Sequence, residues 1–401
     1  MSLDFQQVRQ QVKAMGEKAL ARASALQALR DEACSLLKDH AQNLPALREK
    51  VELVARQYDP TLRCARPADD LLGRLEALDG CFGLPPLPAQ ATILAADGSQ
   101  IAPDRHAEVL YGLINVGAIQ MRLGSPQPPD STVYSRLFYD EQLYNRAGGA
   151  LSEASLALQR DLSERQMLVE LARTAEAPVI SFTDGPMELW GAKDTEEAAE
   201  YQKSLQDYLA VLAELNQLGV ITAGYVDRPS AGLLVRLLEV AATPADELSR
   251  LKDTHRLRGV NDLDLFVDLL GPGQRSAVFA IQSKSAAHYE GPAALHFFYL
   301  NAGWPDHAHL ARVEIPAWVA VDEQKLNHLH AVLVSQCQLM GKNPYPYLLH
   351  RAHETAVVTY DDKAQVTQMI VHELRNRGVP VSLVSNKQAN KNLAARTRYK
   401  S

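Results

Sequence analysis

Two short apolar runs, Thr92–Gln100 (TILAADGSQ) and Val179–Pro186 (VISFTDGP), constrain this chain most. Each is strand-like in length, and each delivers an aspartate to an Asp-Gly pair that reads as a tight turn. A strand-end turn carrying Asp97 or Asp184 is unremarkable alone, because Asp-Gly is a common turn sequence. Two such ends can place two carboxylates side by side. Hard divalent cations prefer oxygen ligands held in that way.

The elements around these runs settle which strands they are. Strand-like runs at 92–97, 109–121 (VLYGLINVGAIQM) and 133–139 (VYSRLFY) precede a helix predicted over 152–175, with Ser152 as its cap. A strand at 178–184, a helix at 195–217, a strand at 220–227 and a helix at 230–241 follow. The order is β-β-β-α-β-α-β-α. Three consecutive strands are most simply a meander, and the later alternation implies parallel neighbours joined by crossover helices. This is the layout of an α/β, ribonuclease H-like mixed sheet, in which the first and fourth strands are neighbours and each carries a metal-binding carboxylate. Asp97 and Asp184 occupy those places.

Before the first strand, apolar positions from Phe5 to Val54 recur every three to five residues and predict an N-terminal helical arm. It ends at the stiff Pro-rich stretch Leu84–Pro88, so the expected division is 1–88 (arm and linker) and 89–401. An insertion at about 242–312 interrupts the alternation. A strand from 314, a helix over 322–340 and a mixed final segment complete the chain.

Composition narrows the partners. The sequence holds 48 acidic and 41 basic side chains, a net charge of −7, so any contact with nucleic acid has to come from local basic patches. The run from Asn386 to Ser401 carries Lys387, Lys391, Arg396, Arg398 and Lys400 without an acid. It is either a solvated tail or a phosphate-gripping patch. Arg105 with His106, Arg228 and Lys284 are weaker candidates, as is the insertion around Arg275. The four cysteines show no metal-ligand spacing and suit a reducing compartment. The N-terminus has no apolar signal-like core, and no apolar run is long enough for a membrane span. A soluble, cytoplasmic (nucleoid-associated) protein with no membrane contact is expected.

A series of motifs in one order then resembles the NurA family of DNA-repair nucleases. They are DGSQIAPDRH at 97, SFTDGP at 181, GYVDRPSAGLLVRLL at 224, GPGQRSAVF at 271, FFYLNAG at 297, RVEIPAWVA at 312, YPYLLHRAHETAVVT at 345 and SNKQANK at 385. The resemblance covers about three quarters of the chain. It implies a metal-dependent deoxyribonuclease with 5′–3′ exonuclease and single-strand endonuclease activity. It further implies a homodimer that works on DNA with a HerA-type hexameric ATPase in end resection for double-strand break repair. The chain itself has no phosphate-binding loop with which to drive translocation.

The resemblance also assigns residues. Asp97 and Asp184 match the two metal-binding aspartates. A glutamate on the intervening helix completes the set, with Glu170 fitting the family pattern best and Glu164 its competitor. Helical phase does not separate them, since both lie off the stripe Leu158, Leu162, Val169. His353 matches a late active-site histidine, and Tyr345, eight residues earlier, is either core or a phosphate-contacting hydroxyl. An imidazole ligand tilts such a site from Mg2+ toward Mn2+. Two ions would clamp the attacking and leaving oxygens of a phosphodiester. The alternatives are a non-catalytic DNA-binding or scaffold subunit of the same motor and a metal-dependent RNA nuclease, because the fold alone does not fix substrate.

Overall fold

The computed structural model describes residues 3–104, 107–144, 151–189 and 198–379. The chain runs α1 (Phe5–Asp39), α2 (Leu44–Leu53), β1 (Cys64–Pro67), α3 (Asp69–Leu72), β2 (Cys81–Phe82), β3 (Ala91–Ile101), β4 (Gly112–Leu123) and β5 (Asp130–Phe138). It continues through α4 (Glu153–Ala172), β6 (Val179–Asp184), α5 (Ala198–Gln217), β7 (Ile221–Asp227), α6 (Leu233–Ala242) and α7 (Asp262–Phe266). The last elements are β8 (Arg275–Ser276), β9 (Phe279–Gln282), β10 (Leu295–Asn301), β11 (Leu310–Pro316), α8 (Ala317–Ala320), α9 (Glu323–Gln338), α10 (Tyr347–Ala356) and α11 (Tyr360–Asn376).

These elements form two compact units that do not follow the chain linearly. One comprises residues 3–87, 185–188 and 223–345; the other comprises the described residues of 88–184 and 189–222 and the described chain from 346. The N-terminal region is therefore more than a helical arm. Its β1 pairs antiparallel with β9, Cys64 opposite Gln282, and the sheet of this unit continues through β10 and β11 to β7. Residues 242–312, expected as an insertion, supply most of those strands. The strands are buried on both faces: every residue of β10 and of β11 is buried, in keeping with the apolar run Phe297–Leu300. Cys64 and Cys337 are buried here, and burial pushes both thiols up to about 12.

The second unit has the expected meander. β3, β4 and β5 pair antiparallel in sequence order, and β6 lies parallel to β3 on its other edge, so the first and fourth strands of the predicted series are neighbours. Ser152 caps α4 by accepting the backbone N–H of Ser155. The apolar side chains Leu156, Leu168 and Val169 of α4 are buried.

One expectation fails here. Asp97–Gly98 is not a turn: β3 runs straight through it to Ile101, with Asp97 opposite Gly117 and Gly98 opposite Val116. Only the second pair behaves as a strand end, since β6 stops at Asp184 and Gly185 takes a left-handed φ of 82°. Among the described residues no helix is long and apolar enough to cross a membrane.

Candidate active site

Alternation along β3 sends successive side chains to opposite faces of the sheet. Asp97 shares its face with its cross-strand partner Gly117. That glycine is where α10 sits: a Cβ on it would lie 2.7 Å from the backbone N of Ala356 and 2.8 Å from the carbonyl O of Ala352. The same seating lets the Ala356 carbonyl accept hydrogen bonds from Ser99 and Asn115. It also brings His353 to Asp97, Nδ1 donating to Oδ2 at 2.7 Å. The other carboxylate oxygen of Asp97 accepts the N–H of Gly98 at 2.8 Å. Asp97 is largely covered while the imidazole is 63% exposed, so the pair opens to solvent on the histidine side.

The opposite face belongs to α4. A Cβ at Gly98 would lie 2.6 Å from Arg160 Cγ and 2.7 Å from Glu164 Oε1. The missing side chain is thus the space through which the α4 charges approach β3. Asp184 lies one residue beyond the last registered pair of β3 and β6, Ala96 with Thr183, which puts it beside Asp97 at the exposed end of its strand. Neighbouring strands are ~4.8 Å apart, so these carboxylates belong to one patch.

Charge in this patch is unbalanced. Burial pushes the Glu164 carboxyl well above the usual range, and the negative charges of Asp161 and Asp97 push it further; Arg160 and Arg165 only partly oppose them. Asp161 is also raised, mainly by burial, although Arg160 donates to it at 2.8 Å and Asp97 adds repulsion. Burial acts to lower the Arg160 pKa, but Asp161, Glu164 and Asp97 together hold the guanidinium charged. Arg165, 2% exposed, donates to Thr222, whose hydroxyl is also bonded to Ser181, and so ties α4 to the strands beneath it.

Glu170 is not brought to this cluster. Its side chain is 64% exposed and paired with Arg173 at 2.7 Å, and Arg173 also binds Glu214. Six residues advance a helix by about 240°, enough to turn one glutamate to the sheet and the other to water. Of the two candidate glutamates, Glu164 is the one that α4 turns toward β3. Arg160 and Asp161 were not foreseen. The string QRDLSER does carry their signal, charges at i and i+4, but such a face ordinarily points to solvent.

The remaining candidates are dispersed or lie elsewhere. Tyr345 belongs to the other unit, where its ring packs edge-on against Tyr225 with centroids 5.7 Å apart. Arg228, with a left-handed φ of 43°, and Lys284 are exposed in that same unit. Arg275 is unsuited to DNA contact: it is 3% exposed, bonded to both carboxylate oxygens of Glu76 and stacked over Phe82. Arg105, His106, Lys387, Lys391, Arg396 and Arg398 lie outside the described residues.

Among the described residues no three His, Cys, Asp or Glu side chains are grouped closely enough to ligate one ion. The donor chemistry nevertheless suits a divalent metal. Carboxylates of β3, β6 and α4 and an imidazole of α10 lie around the end of β3, His353 on one face and Glu164 on the other. Glu164 is raised first by burial and then by the negative charge of Asp161 and Asp97, which a bound cation would offset.

The meander, the parallel fourth strand and the carboxylates on strands one and four define a ribonuclease H-like α/β domain. Residues 91–358 match the NurA domain, and the chain belongs to the NurA family. Among solved structures it is similar to the NurA nuclease from Sulfolobus solfataricus, at 13% identity over 74% of this chain and 88% of that one, with a TM-score of 0.43. It is also similar to the catalytic domain of human endonuclease V, at 10% identity over 84% of this chain and 98% of that one (TM-score 0.31). Drosophila Piwi matches at 10% identity over 66% of this chain and 29% of its own, with a TM-score of 0.27. No curated protein matches the chain.

Proposed function

We propose that this NurA-family protein is a metal-dependent nuclease that hydrolyses phosphodiester bonds in DNA. The observation that carries the reading is the juxtaposition of Asp97 with His353 on one face of β3 and with Glu164 through Gly98 on the other, beside Asp184. Asp97, Asp184 and Glu164 would hold the metal, with His353 as the nitrogen donor that favours Mn2+ over Mg2+. When bound, the metal supplies positive charge for the phosphoryl oxygens and activates water.

The chain's own groups do the positioning. Asp97 fixes the tautomer of His353 by accepting from Nδ1, which leaves Nε2 as the ring nitrogen with a lone pair to offer the metal. Arg160 keeps a positive charge next to Asp161 and Glu164, so the buried end of the cluster is not left wholly anionic. Resemblance to the family adds the wider setting as part of the same proposal. The protein would act as a homodimer with a HerA-type hexameric ATPase in double-strand end resection, using 5′–3′ exonuclease and single-strand endonuclease activity.

The test uses end-labelled duplex DNA, single-stranded DNA and RNA, with Mn2+, Mg2+ or a chelator, and with or without a HerA-type ATPase. Cleavage of DNA that a chelator stops, and that Asp97→Ala and Asp184→Ala each abolish without altering the melting curve, is the expected result. Cleavage retained by Asp97→Ala in a preparation free of contaminating nuclease overturns the assignment. Degradation confined to RNA moves the substrate to the other polymer.

A further inference from the structure

The unit that holds residues 223–345 contains a cavity of about 510 Å³ beside the first turn of α6, well removed in sequence from the carboxylate cluster. Its volume is that of a small-molecule site. Leu62, Val235, Leu257 and Val260 give it apolar walls.

The charges around it divide into used and unused. Asp59 accepts both the N–H and the hydroxyl of Thr61, at 3.0 and 2.6 Å. Glu239 accepts the N–H of Leu257 and pairs with Arg236, whose second nitrogen donates to the carbonyl of Leu251. Arg63 is paired with the buried Glu188 at 2.7 Å. Lys252 and Arg258 remain. Both are exposed at the lining of the cavity, and among the described residues neither side chain makes a hydrogen bond or an ion pair. Two uncommitted cations in a lining that also holds Leu62, Val235, Leu257 and Val260 match a ligand with an anionic end and an apolar body.

We propose that this cavity binds a phosphate-bearing nucleotide, with the phosphate at Lys252 and Arg258 and the base against Leu62, Val235 and Val260. The choice of a nucleotide among phosphate ligands rests on the nuclease reading, which puts nucleotides and strand ends in contact with the protein. The phosphate belongs either to a free nucleoside monophosphate or to a phosphorylated DNA end, and the two share the chemistry the cavity offers.

The experiment measures binding of fluorescently labelled dAMP, and of a short labelled oligonucleotide with and without a 5′-phosphate. It uses the full chain in chelator so that no cleavage occurs. Binding of dAMP, weakened at least tenfold in the Lys252→Glu/Arg258→Glu double variant, is the expected result and assigns a free nucleotide. Binding only of the 5′-phosphorylated oligonucleotide, lost in the same variant, assigns the strand end. Both positions are exposed, and an unchanged melting temperature confirms that the variant folds. No binding of any probe by the native chain, or equal binding by native chain and double variant, overturns the proposal. Because the readout is binding in chelator, it stays separate from catalysis. An absence of DNA cleavage together with charge-dependent dAMP binding would sink the nuclease reading alone.

Discussion

Replacing Gly98 by alanine tests whether Glu164 and Arg160 reach β3 through the space a side chain would fill. The added methyl would sit 2.6 Å from Arg160 Cγ, 2.7 Å from Glu164 Oε1 and 3.0 Å from Arg160 Cδ. Comfortable carbon contacts are about 3.5–4.0 Å, so the neighbours have to retreat by roughly 1 Å. Neither moves freely, since Glu164 is 6% exposed and Arg160 is bonded to Asp161. Overpacking of this kind costs about 1–3 kcal/mol, and alanine recovers about 0.4–1 kcal/mol by restricting the unfolded chain. The net loss is roughly 1–2 kcal/mol, or roughly 2–8 °C in melting temperature for a unit of this size. Cleavage should suffer more than stability, because a 1 Å misplacement of a catalytic group costs on the order of 100-fold. Gly117→Ala serves as the comparison. Its methyl would meet the backbone of α10, which has no rotamer to yield, and should both destabilise the protein further and lift His353 from Asp97. Thermal denaturation followed by circular dichroism and cleavage of end-labelled DNA give the two readouts. A Gly98→Ala protein with native melting temperature and native cleavage would refute the packing of the α4 charges on β3.

Three further outcomes follow from other parts of the structure. Glu164→Gln should abolish cleavage while leaving the fold intact, whereas Glu170→Gln should change cleavage less than twofold and stability by under about 0.5 kcal/mol, as an exposed helical ion pair allows; the reverse pattern returns the third carboxylate to Glu170. His296 and His330 are buried and lowered from 6.5 to about 4, mainly by burial, so the folded protein resists protonation that the unfolded chain accepts. Their stabilisation is present above pH 6.5 and is lost as the pH falls toward 4, about 2 kcal/mol each by pH 5; urea midpoints at pH 7.5 and pH 5 should differ less in His330→Asn than in the native protein, and equal differences would contradict it. If Lys387, Lys391, Arg396 and Arg398 grip phosphates, neutralising all four should flatten the log-log salt dependence of duplex binding by up to about 0.9 per lost contact, and an unchanged slope would place the DNA elsewhere.

The backbone of the second unit was legible because its signals are local. The runs at 92–97, 109–121, 133–139 and 178–184 recur as β3 to β6, displaced by a few residues at their ends, and Ser152 caps the helix it was expected to cap. Apart from the Asp97–Gly98 turn, which the next strand overrides, the readings that failed depended on partners far along the chain. Arg275, a cation in an apparent insertion, looks like surface until Glu76, 199 residues earlier, is placed against it. The segment Cys64–Pro67 is too short to read as a strand, and it becomes one because β9 lies beside it.

The choice between Glu164 and Glu170 shows the same limit at the site itself. Both residues stand off the apolar stripe of α4, and periodicity on the helix cannot say which of them meets the sheet. The deciding residue is on another element. Gly98 opens β3 toward Glu164, while Glu170 finds Arg173 on the outer side of α4. The glycine of the Asp-Gly pair first read as a turn therefore has a different function. Its conformation is ordinary for a strand, and a larger residue there is disfavoured by contact rather than by φ. A turn would have tolerated asparagine at that position; here even a methyl group has to displace the α4 charges.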